Sequence, residues 1–251
     1  MSLAFLTPDA VGDGVAARSP MERLARAAGA QVELRDGWNV AVGFGDPARE
    51  RALLAEGVAF ADRCHLVKLE LQASPEALAE IVATASGGAV LEPGRAVHAG
   101  GAWWCPVTPA RVLVLGEGGD GALVRAAVAE ARDGAGIRGA VAEASSVAST
   151  AVTVVDVTSG LAALALAGPG AGELLARFCA IDVRPAVMPV GDFRPGSVAR
   201  TPGYVLRDGD ERLLVLVGWA LGHYLWTVVA DAAEHLGGGP VGADALSPAS
   251  A

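Results

Sequence analysis

The most constraining feature of this sequence is an internal repeat with an offset of 94 residues. Residues 61–81 read A-D-R-C-H-L-V-K-L-E-L-Q-A-S-P-E-A-L-A-E-I, and residues 155–175 read V-D-V-T-S-G-L-A-A-L-A-L-A-G-P-G-A-G-E-L-L. The offset places Asp62 on Asp156 and superposes the two prolines. Each copy has an acidic residue, a turn, an apolar strand, and then a small residue and a proline. Because proline has a fixed φ that suits the first helical turn, each copy is predicted to open an amphipathic helix there.

The repeat continues beyond these segments. The predicted strand Arg111–Leu115 corresponds to Arg212–Val217, and the predicted helix Ala122–Arg132 corresponds to His223–Leu236. Two copies of β-α-β-β-α type would pair their sheets around a shared core. The sequence therefore predicts an α+β fold built from two related, pseudo-symmetric halves.

The repeat and the composition also predict the boundaries of these parts. We expect a flexible leader over residues 1–18, a first half over 19–134, a second half over 150–243 and a tail over 244–251. Residues 135–149 are rich in Gly, Ala and Ser and are the predicted linker.

Capping signals predict shorter elements in the first half. Ser19 is the predicted N-cap of a helix over Pro20–Gly29, and Asp46 is the predicted cap of a helix over Asp46–Glu56. Between them, Gln31–Phe44 is predicted to form strands around a turn.

Charge and hydropathy exclude two classes of partner. The 251 residues carry a net charge of −9, from 28 acidic and 19 basic side chains, and no basic stripe is present. Because phosphate backbones repel such a surface, nucleic acid is not an expected partner. No apolar run reaches the roughly 20 residues of a membrane-spanning helix. Residues 1–10 lack the pattern of a secretory signal, so we expect a cytoplasmic location without membrane partners.

The potential metal ligands show none of the usual metal-binding spacings. The cysteines form no C-x-x-C pair, and the histidines form no H-x-x-x-H pair. We therefore predict buried free thiols and no metal site. These residues are Cys64, Cys105 and Cys179, and His65, His98, His223 and His235.

A glycine-rich turn over Gly116–Gly121 has the formal pattern of a dinucleotide-binding fingerprint. It follows a predicted strand and opens a predicted helix, and Glu143 lies at a suitable distance beyond it. Glu117 and Asp120, however, place negative charge where a pyrophosphate would sit. An ordinary turn is the favoured interpretation, and nucleotide binding, testable by NAD(P) titration, is a minor alternative.

The pair Trp103-Trp104 is unusual in a chain with 5% aromatic residues. On a strand the two indoles point to opposite faces, so one would anchor the core and one would lie outward. The alternative is that one ring stacks on a planar ligand or contacts a partner subunit.

Several short blocks occur in a characteristic order over nearly the whole chain. They are Ser19-Pro-Met-Glu-Arg-Leu, Gly37-Trp38, Gly57-Val-Ala-Phe-Ala-Asp62, Leu91-Glu-Pro-Gly94, Ala199-Arg-Thr-Pro-Gly203-Tyr204 and Gly239-Pro-Val-Gly242. With them the chain resembles the aminomethyltransferase (T protein) of the glycine cleavage system and its folate-binding relatives. The second half is most similar to the gamma subunit of heterotetrameric sarcosine oxidase, through Val154–Gly160, Gly168-Pro169 and Tyr224-Leu-Trp226.

The resemblance implies a folate-binding-domain-like fold, with two departures from the family pattern. Where the family has a catalytic aspartate, residues 100–106 bring two indoles and a thiol, and an indole cannot relay a proton. The C-terminal β-barrel of the T protein is also missing from this sequence. Aminomethyl transfer by the usual route is therefore not expected, and whether the chain is an enzyme stays open.

Two functions follow from the resemblance. The leading hypothesis is an accessory subunit of a flavin-dependent amine oxidase complex in one-carbon metabolism. The alternative is a stand-alone tetrahydrofolate-dependent one-carbon transferase with an altered mechanism, with a pocket between the halves. In that case an indole would stack on the folate, a carboxylate would pair with the pterin and a guanidinium would meet the glutamate tail. The candidate folate-binding residues are Trp103, Trp104, Arg200, Tyr204, Asp210 and Glu211.

Overall fold

The computed structural model describes residues 15–117, 124–131 and 152–246. These residues form two compact units. The first unit consists of the described residues up to 65 together with those from 159 onward, and the second consists of the described residues from 66 to 158.

The elements are numbered along the chain. Residues 15–65 form β1 (Ala17–Arg18), α1 (Glu22–Ala27), β2 (Gln31–Arg35), β3 (Trp38–Gly43), α2 (Pro47–Glu56) and β4 (Ala59–Asp62). The second unit follows with β5 (Val67–Gln72), α3 (Pro75–Ser86), β6 (Val97–Ala99), β7 (Ala102–Thr108), β8 (Arg111–Gly116), a helix α4 described over 124–131, and β9 (Thr153–Asp156). The first unit resumes with β10 (Leu161–Ala167), α5 (Ala171–Ala176), β11 (Phe193–Val198), β12 (Thr201–Gly209), β13 (Arg212–Gly218), a 3-10 turn (Trp219–Leu221), α6 (Gly222–Glu234), β14 (Gly239–Pro240) and α7 (Ala243–Leu246).

Two of the helix starts are those that the sequence predicts, at Asp46 from its cap and at Pro75 from the proline. The Asp46 side chain accepts hydrogen bonds from the amides of Ala48 and Arg49, at 3.1 and 3.0 Å, and thereby caps α2. Ser74 caps α3 by accepting from the amide of Ala77 at 3.3 Å. Local side-chain chemistry therefore sets both starts.

The predicted cap of α1 is wrong. Ser19 accepts a hydrogen bond from the amide of Met21 at 3.0 Å, but the helix begins only at Glu22. Ser19 therefore stabilises the turn that precedes the helix. Of the predicted flexible leader, residues 1–14 lie outside the described residues, and Ala17–Arg18 form a strand paired in parallel with β3.

The larger sheets of the two units have the same strand order. The first unit has β11-β12-β13-β10-β4, extended by β14, and the second has β6-β7-β8-β5-β9. Strands β4 and β9 begin 94 residues apart (59 and 153), and so do β5 and β10 (67 and 161). This is the offset of the sequence repeat. The assignment of the halves to 19–134 and 150–243 stays a prediction.

The sheet of each unit contains more strands than the three of the predicted β-α-β-β-α pattern. Two of the additional strands are β6 and β11, which pair antiparallel with β7 and β12. Strand β6 has only three residues, and β11 contains a proline and a glycine. Because these features favour loops in a sequence, pairing with a neighbouring strand decides their conformation.

The core of the first unit packs α5 and α6 against one face of its larger sheet. Leu164, Leu166 and Val215 are fully buried there, and Phe60 meets Trp226 edge-on with ring centroids 5.0 Å apart. In the second unit, α3 and α4 cover one face of the sheet in the same way. Each unit therefore buries an apolar layer of its own.

The end of the described chain is fastened to the first unit by Glu50. Its buried carboxylate accepts from the amide of Phe44 at 2.6 Å and from the amide of Gly242 at 2.8 Å. A Cβ at Gly242 would lie 1.9 Å from the carbonyl oxygen of Val42, so a side chain does not fit there. Where the sequence predicts a loose tail, this close approach positions α7 instead, and residues 247–251 lie outside the described residues.

A second buried carboxylate, Glu22, organises the N-terminal part of the same unit. It is 4% exposed and accepts hydrogen bonds from Arg18 at 3.1 Å, from Arg26 at 2.8 Å and from the side-chain amide of Asn39 at 3.3 Å. Burial by itself raises the pKa of Glu22, but these hydrogen bonds outweigh burial, so the pKa lies below its usual value.

The substitution Glu22→Gln is expected to destabilise the first unit at neutral pH by about 1–3 kcal/mol, because an amide cannot replace a carboxylate between two guanidinium groups. A carboxyl whose pKa is lowered by folding contributes stability above its unfolded pKa of about 4.3 and loses it as the pH falls. The difference between wild type and variant in urea unfolding should therefore shrink below about pH 4.

The matched control is Glu33→Gln, whose carboxylate is 59% exposed and pairs with Arg35. It should change the free energy of unfolding by less than about 0.5 kcal/mol. A Glu22→Gln difference that stays constant across the acidic range would contradict the assigned role of this carboxylate.

Candidate functional site

A cavity of about 570 Å³ lies in the first unit. Its walls are the start of α5, the loop from residues 181 to 185 and the turn between β12 and β13. Cavities of this size are typical of sites for small molecules. Asp210 and Glu211, two of the predicted ligand-binding residues, both line it.

The turn between β10 and α5 fixes one wall of the cavity. Gly168 has a φ of +94°, and a Cβ there would lie 2.8 Å from the carbonyl oxygen of Gly57, so only glycine fits. Its amide donates to the carbonyl oxygen of Glu211 at 3.0 Å, and the amide of Gly170 donates to that of Gly57 at 3.0 Å. These backbone bonds hold the start of α5 beside both the end of α2 and the β12–β13 turn.

Arg207 supplies a buried positive charge in the cavity wall. It lies on β12 and is 4% exposed. Its guanidinium donates to the carbonyl oxygen of Asp210 at 2.6 Å and to that of Val183. The Nε atom has no hydrogen-bond partner. Arg207 thereby ties the 181–185 loop to the β12–β13 turn.

Carboxylates surround the cavity. Asp182 pairs with Arg184 at 2.6 Å, and the hydrogen bond from that guanidinium lowers the pKa of Asp182 to about 2. Asp210 and Glu211 are exposed on the β12–β13 turn. The cavity therefore has a cationic group in its wall and carboxylates at its edge.

The other predicted residues of the first unit lie elsewhere. Arg200 is in the turn that precedes β12, and Asp210 follows the end of the same strand. Ten residues of extended chain correspond to a separation on the order of 30 Å. Tyr204 lies in the middle of β12, with its ring stacked on Phe193 at a centroid distance of 5.3 Å and an interplanar angle of 14°. Only Asp210 and Glu211 come together here.

The two tryptophans lie on β7 in the second unit and point to opposite faces, as predicted. Trp104 is 1% exposed, and its indole N–H donates to the carbonyl oxygen of Ala99 at 2.9 Å. Trp103 is half-buried, and its ring lies 5.1 Å from that of the exposed His98. Trp104 is therefore a core anchor, and Trp103 lies at the surface.

The sequence also made predictions about the cysteines, a metal site, membrane-spanning helices and the glycine-rich motif. The three cysteines are buried free thiols, as predicted. In the ranges 15–117, 124–131 and 152–246, no group of three His, Cys, Asp or Glu side chains could hold a metal ion. Over these same ranges, every helix is too short or too polar to span a membrane. Most of the glycine-rich motif, from residue 118 onward, and the predicted linker lie outside the described residues.

Residues 113–235, from β8 to the end of α6, match the family described as sarcosine oxidase, gamma subunit family. Over these residues the chain is similar to sarcosine oxidase gamma subunits. The predicted resemblance is thereby confirmed, and the cavity around Arg207 lies within the matched region. No curated protein sequence matches the chain significantly.

Two solved structures share the fold. The glycine cleavage system aminomethyltransferase T from Bartonella henselae superposes with a TM-score of 0.69 and 14% identity over 91% of this chain. This chain covers 60% of the length of the aminomethyltransferase. A chain of heterotetrameric sarcosine oxidase from Corynebacterium sp. U-96, in complex with pyrrole 2-carboxylate, gives a TM-score of 0.60 and 18% identity. That match covers 88% of this chain and 96% of the Corynebacterium chain.

Sequence reasoning missed Arg207 as a residue of this cavity. Its signal is a single arginine directly after the apolar residues Val205-Leu206 in a strand, followed by the acidic turn Asp208–Glu211. An arginine in such a position is either exposed at a strand edge or buried with partners. The sequence cannot distinguish these cases, because one partner of Arg207 is Val183 on a distant loop.

Because Trp103 and Trp104 lie on opposite faces of β7, their substitution should lower the free energy of unfolding by different amounts. Trp104→Phe should destabilise the protein by about 1–3 kcal/mol, because it removes buried volume and leaves the carbonyl of Ala99 without its indole donor. Trp103→Phe, the matched control, should cost less than about 0.5 kcal/mol. Denaturant unfolding followed by circular dichroism measures both, and equal costs would contradict the assignment.

Proposed function

We propose that this gamma subunit-like chain is an accessory, non-catalytic subunit of a flavin-dependent amine oxidase complex of the sarcosine oxidase type, located in the cytoplasm. The observation that carries the proposal is the family match over residues 113–235. The likeness to 96% of a chain from a heterotetrameric sarcosine oxidase supports it. A fold of this kind in such an assembly provides surfaces for other subunits.

An apolar groove in the second unit is consistent with association. It has a volume of about 570 Å³ and lies between α3, the loop around Val90 and the turn between β7 and β8. Val90, at the edge of this groove, is 79% exposed. Stable interfaces bury roughly 800 Å² on each partner around an apolar centre, so a subunit contact would extend well beyond this groove.

The surroundings of several residues predicted to bind tetrahydrofolate support the accessory role. The Trp104 indole is buried in its own core, and the Tyr204 ring already stacks on Phe193. Arg200 and Asp210 lie at opposite ends of β12, on the order of 30 Å apart. These placements favour the accessory role over the alternative, a folate-dependent transferase. No reaction step through folate is proposed.

The accessory role predicts co-purification. The tagged chain, expressed with the remaining subunits of a flavin-dependent amine oxidase from the same organism, should elute from a sizing column in one complex that carries flavin absorbance. The tagged chain expressed alone should elute at a smaller size without flavin. Subunits that assemble into an active oxidase while the chain elutes separately would overturn the proposal.

The same proposal predicts no stabilisation by folate. Thermal unfolding of the isolated chain should be unchanged by 5-formyltetrahydrofolate. A folate-dependent enzyme would instead gain about 2.7 kcal/mol when the ligand is present at 100 times its dissociation constant. A concentration-dependent rise in melting temperature would favour the transferase alternative, and it would direct attention to residues outside the six candidates.

A further inference from the structure

The apolar groove of the second unit has a nonpolar floor. Leu78, Val82 and Val112 line it and are buried. Helix α3 contributes residues at i, i+3, i+4, i+7 and i+8, so one face of this helix forms a wall of the groove. These residues are Pro75, Leu78, Ala79, Val82 and Ala83. The groove therefore favours large apolar side chains of a ligand.

The backbone around the groove cannot pair with an extended peptide. Strand β7 pairs with β6 and β8, and β8 pairs with β7 and β5, so both strands that reach the groove are paired on both sides. Four lining residues are prolines, which have no amide N–H to donate. They are Pro75, Pro93, Pro106 and Pro109. Because a helix satisfies its own backbone hydrogen bonds, a helical ligand fits this groove better than an added strand.

Three exposed glutamates, Glu76, Glu80 and Glu92, form an acidic rim beside the groove. Glu92 is the only charged residue that lines the groove within the described part of the chain, and Glu76 and Glu80 each follow a lining residue on α3. None of the three forms an ion pair with a described residue. Like charges at i and i+4 of a helix repel, so basic groups beside Glu76 and Glu80 would remove an unfavourable interaction.

We propose that this groove docks an amphipathic α-helix of another subunit, with large apolar residues at i, i+3, i+4 and i+7 and with lysine or arginine beside them. The apolar side chains lie on Leu78, Val82 and Val112, and the basic side chains lie against the acidic rim. This proposal deepens the accessory role by naming a docking surface and the chemistry of the partner. It rests on the accessory role only for the identity of that partner.

Fluorescence anisotropy with the full chain tests the groove without an oxidase. The probe is a labelled peptide of about 18 residues, long enough to form a helix, with leucine at the i, i+3, i+4 and i+7 positions and lysine elsewhere. The matched probe has glutamate in place of lysine. The lysine peptide should bind about tenfold more tightly at low salt, because it complements the acidic rim. Equal binding of the two peptides, or no binding of the lysine peptide, overturns the proposal.

The substitution Ala79→Gln inserts a longer, uncharged side chain into the groove from an exposed position on α3. Glutamine is a good helix former, so the variant should keep the fold. It should weaken binding of the lysine peptide about tenfold. The matched control Ala129→Gln, at an exposed position on α4 outside the groove, should leave binding unchanged. Equal affinity of wild type and Ala79→Gln would place the peptide elsewhere and overturn the proposal.

The acidic rim has its own variant. The double substitution Glu76→Gln with Glu80→Gln should weaken binding of the lysine peptide about fivefold at low salt and by less at high salt, because salt screens exposed charges. The control Glu130→Gln, an exposed carboxylate on α4, should leave the affinity unchanged. An affinity of the double variant equal to that of wild type at low salt overturns the assignment of the rim.

The other possible occupants of the groove are a second copy of the chain and a small apolar molecule. Self-association of the wild-type chain in ultracentrifugation that Ala79→Gln abolishes would assign the groove to a second copy. Nile red that binds one to one and is not displaced by the lysine peptide would assign it to a small molecule. Either result overturns the proposal.

The oxidase complex gives a separate readout of the same variant. Ala79→Gln should dissociate from the remaining oxidase subunits about fivefold more readily than wild type, and Ala129→Gln should not. A wild-type chain that does not assemble contradicts the accessory role alone, and the peptide titrations still decide the groove. If Ala79→Gln assembles with wild-type affinity, the groove is not the docking surface.

Discussion

The contact between Gly168 and the end of α2 is the constraint on which the first unit most depends. There is no room for a side chain, because the carbonyl oxygens of Gly57 and Leu53 lie 2.8 and 2.9 Å from the position of a Cβ. The amide of Gly168 also bonds to the carbonyl oxygen of Glu211. One turn therefore joins a helix from the first part of the chain to a hairpin from the last part, and the cavity lies beside this junction.

Buried charged groups also join distant segments of the chain elsewhere in the first unit. Glu50 holds backbone amides that are far apart in sequence, and Arg207 holds the carbonyl oxygens of two different loops. Such groups are costly to bury unless they are well paired, so they favour one arrangement of the loops over others. Glu50 uses both of its carboxylate oxygens in this way, whereas the buried Nε of Arg207 has no hydrogen-bond partner.

The gamma subunit-like match and the shared fold give different kinds of information. The fold likeness reaches both an aminomethyltransferase and a sarcosine oxidase chain, so it does not separate catalytic from accessory roles. The positions of individual side chains support the proposed accessory role. Trp104 serves the core and Tyr204 packs on Phe193, so two of the side chains that could stack on a folate have other partners.

The sequence by itself determined the local elements and the repeat. Asp46 as a cap and Pro75 as a first helical residue marked two helix starts correctly, because both act within the first helical turn. The offset of 94 residues predicted which strands correspond, and the adjacent tryptophans were assigned to opposite faces by the alternation of a strand. The order of short motifs was sufficient to predict the gamma subunit family.

Only the tertiary structure decided that β6 and β11 are strands, where α7 lies and what surrounds Arg207. Strand β6 and the proline-containing β11 are strands because a neighbour pairs with them. Gly242 is held by Glu50, which is 192 residues away in sequence. Arg207 is buried by loops that the sequence could not place next to it. Each of these features depends on contacts between distant segments, and local propensity carries no information about such contacts.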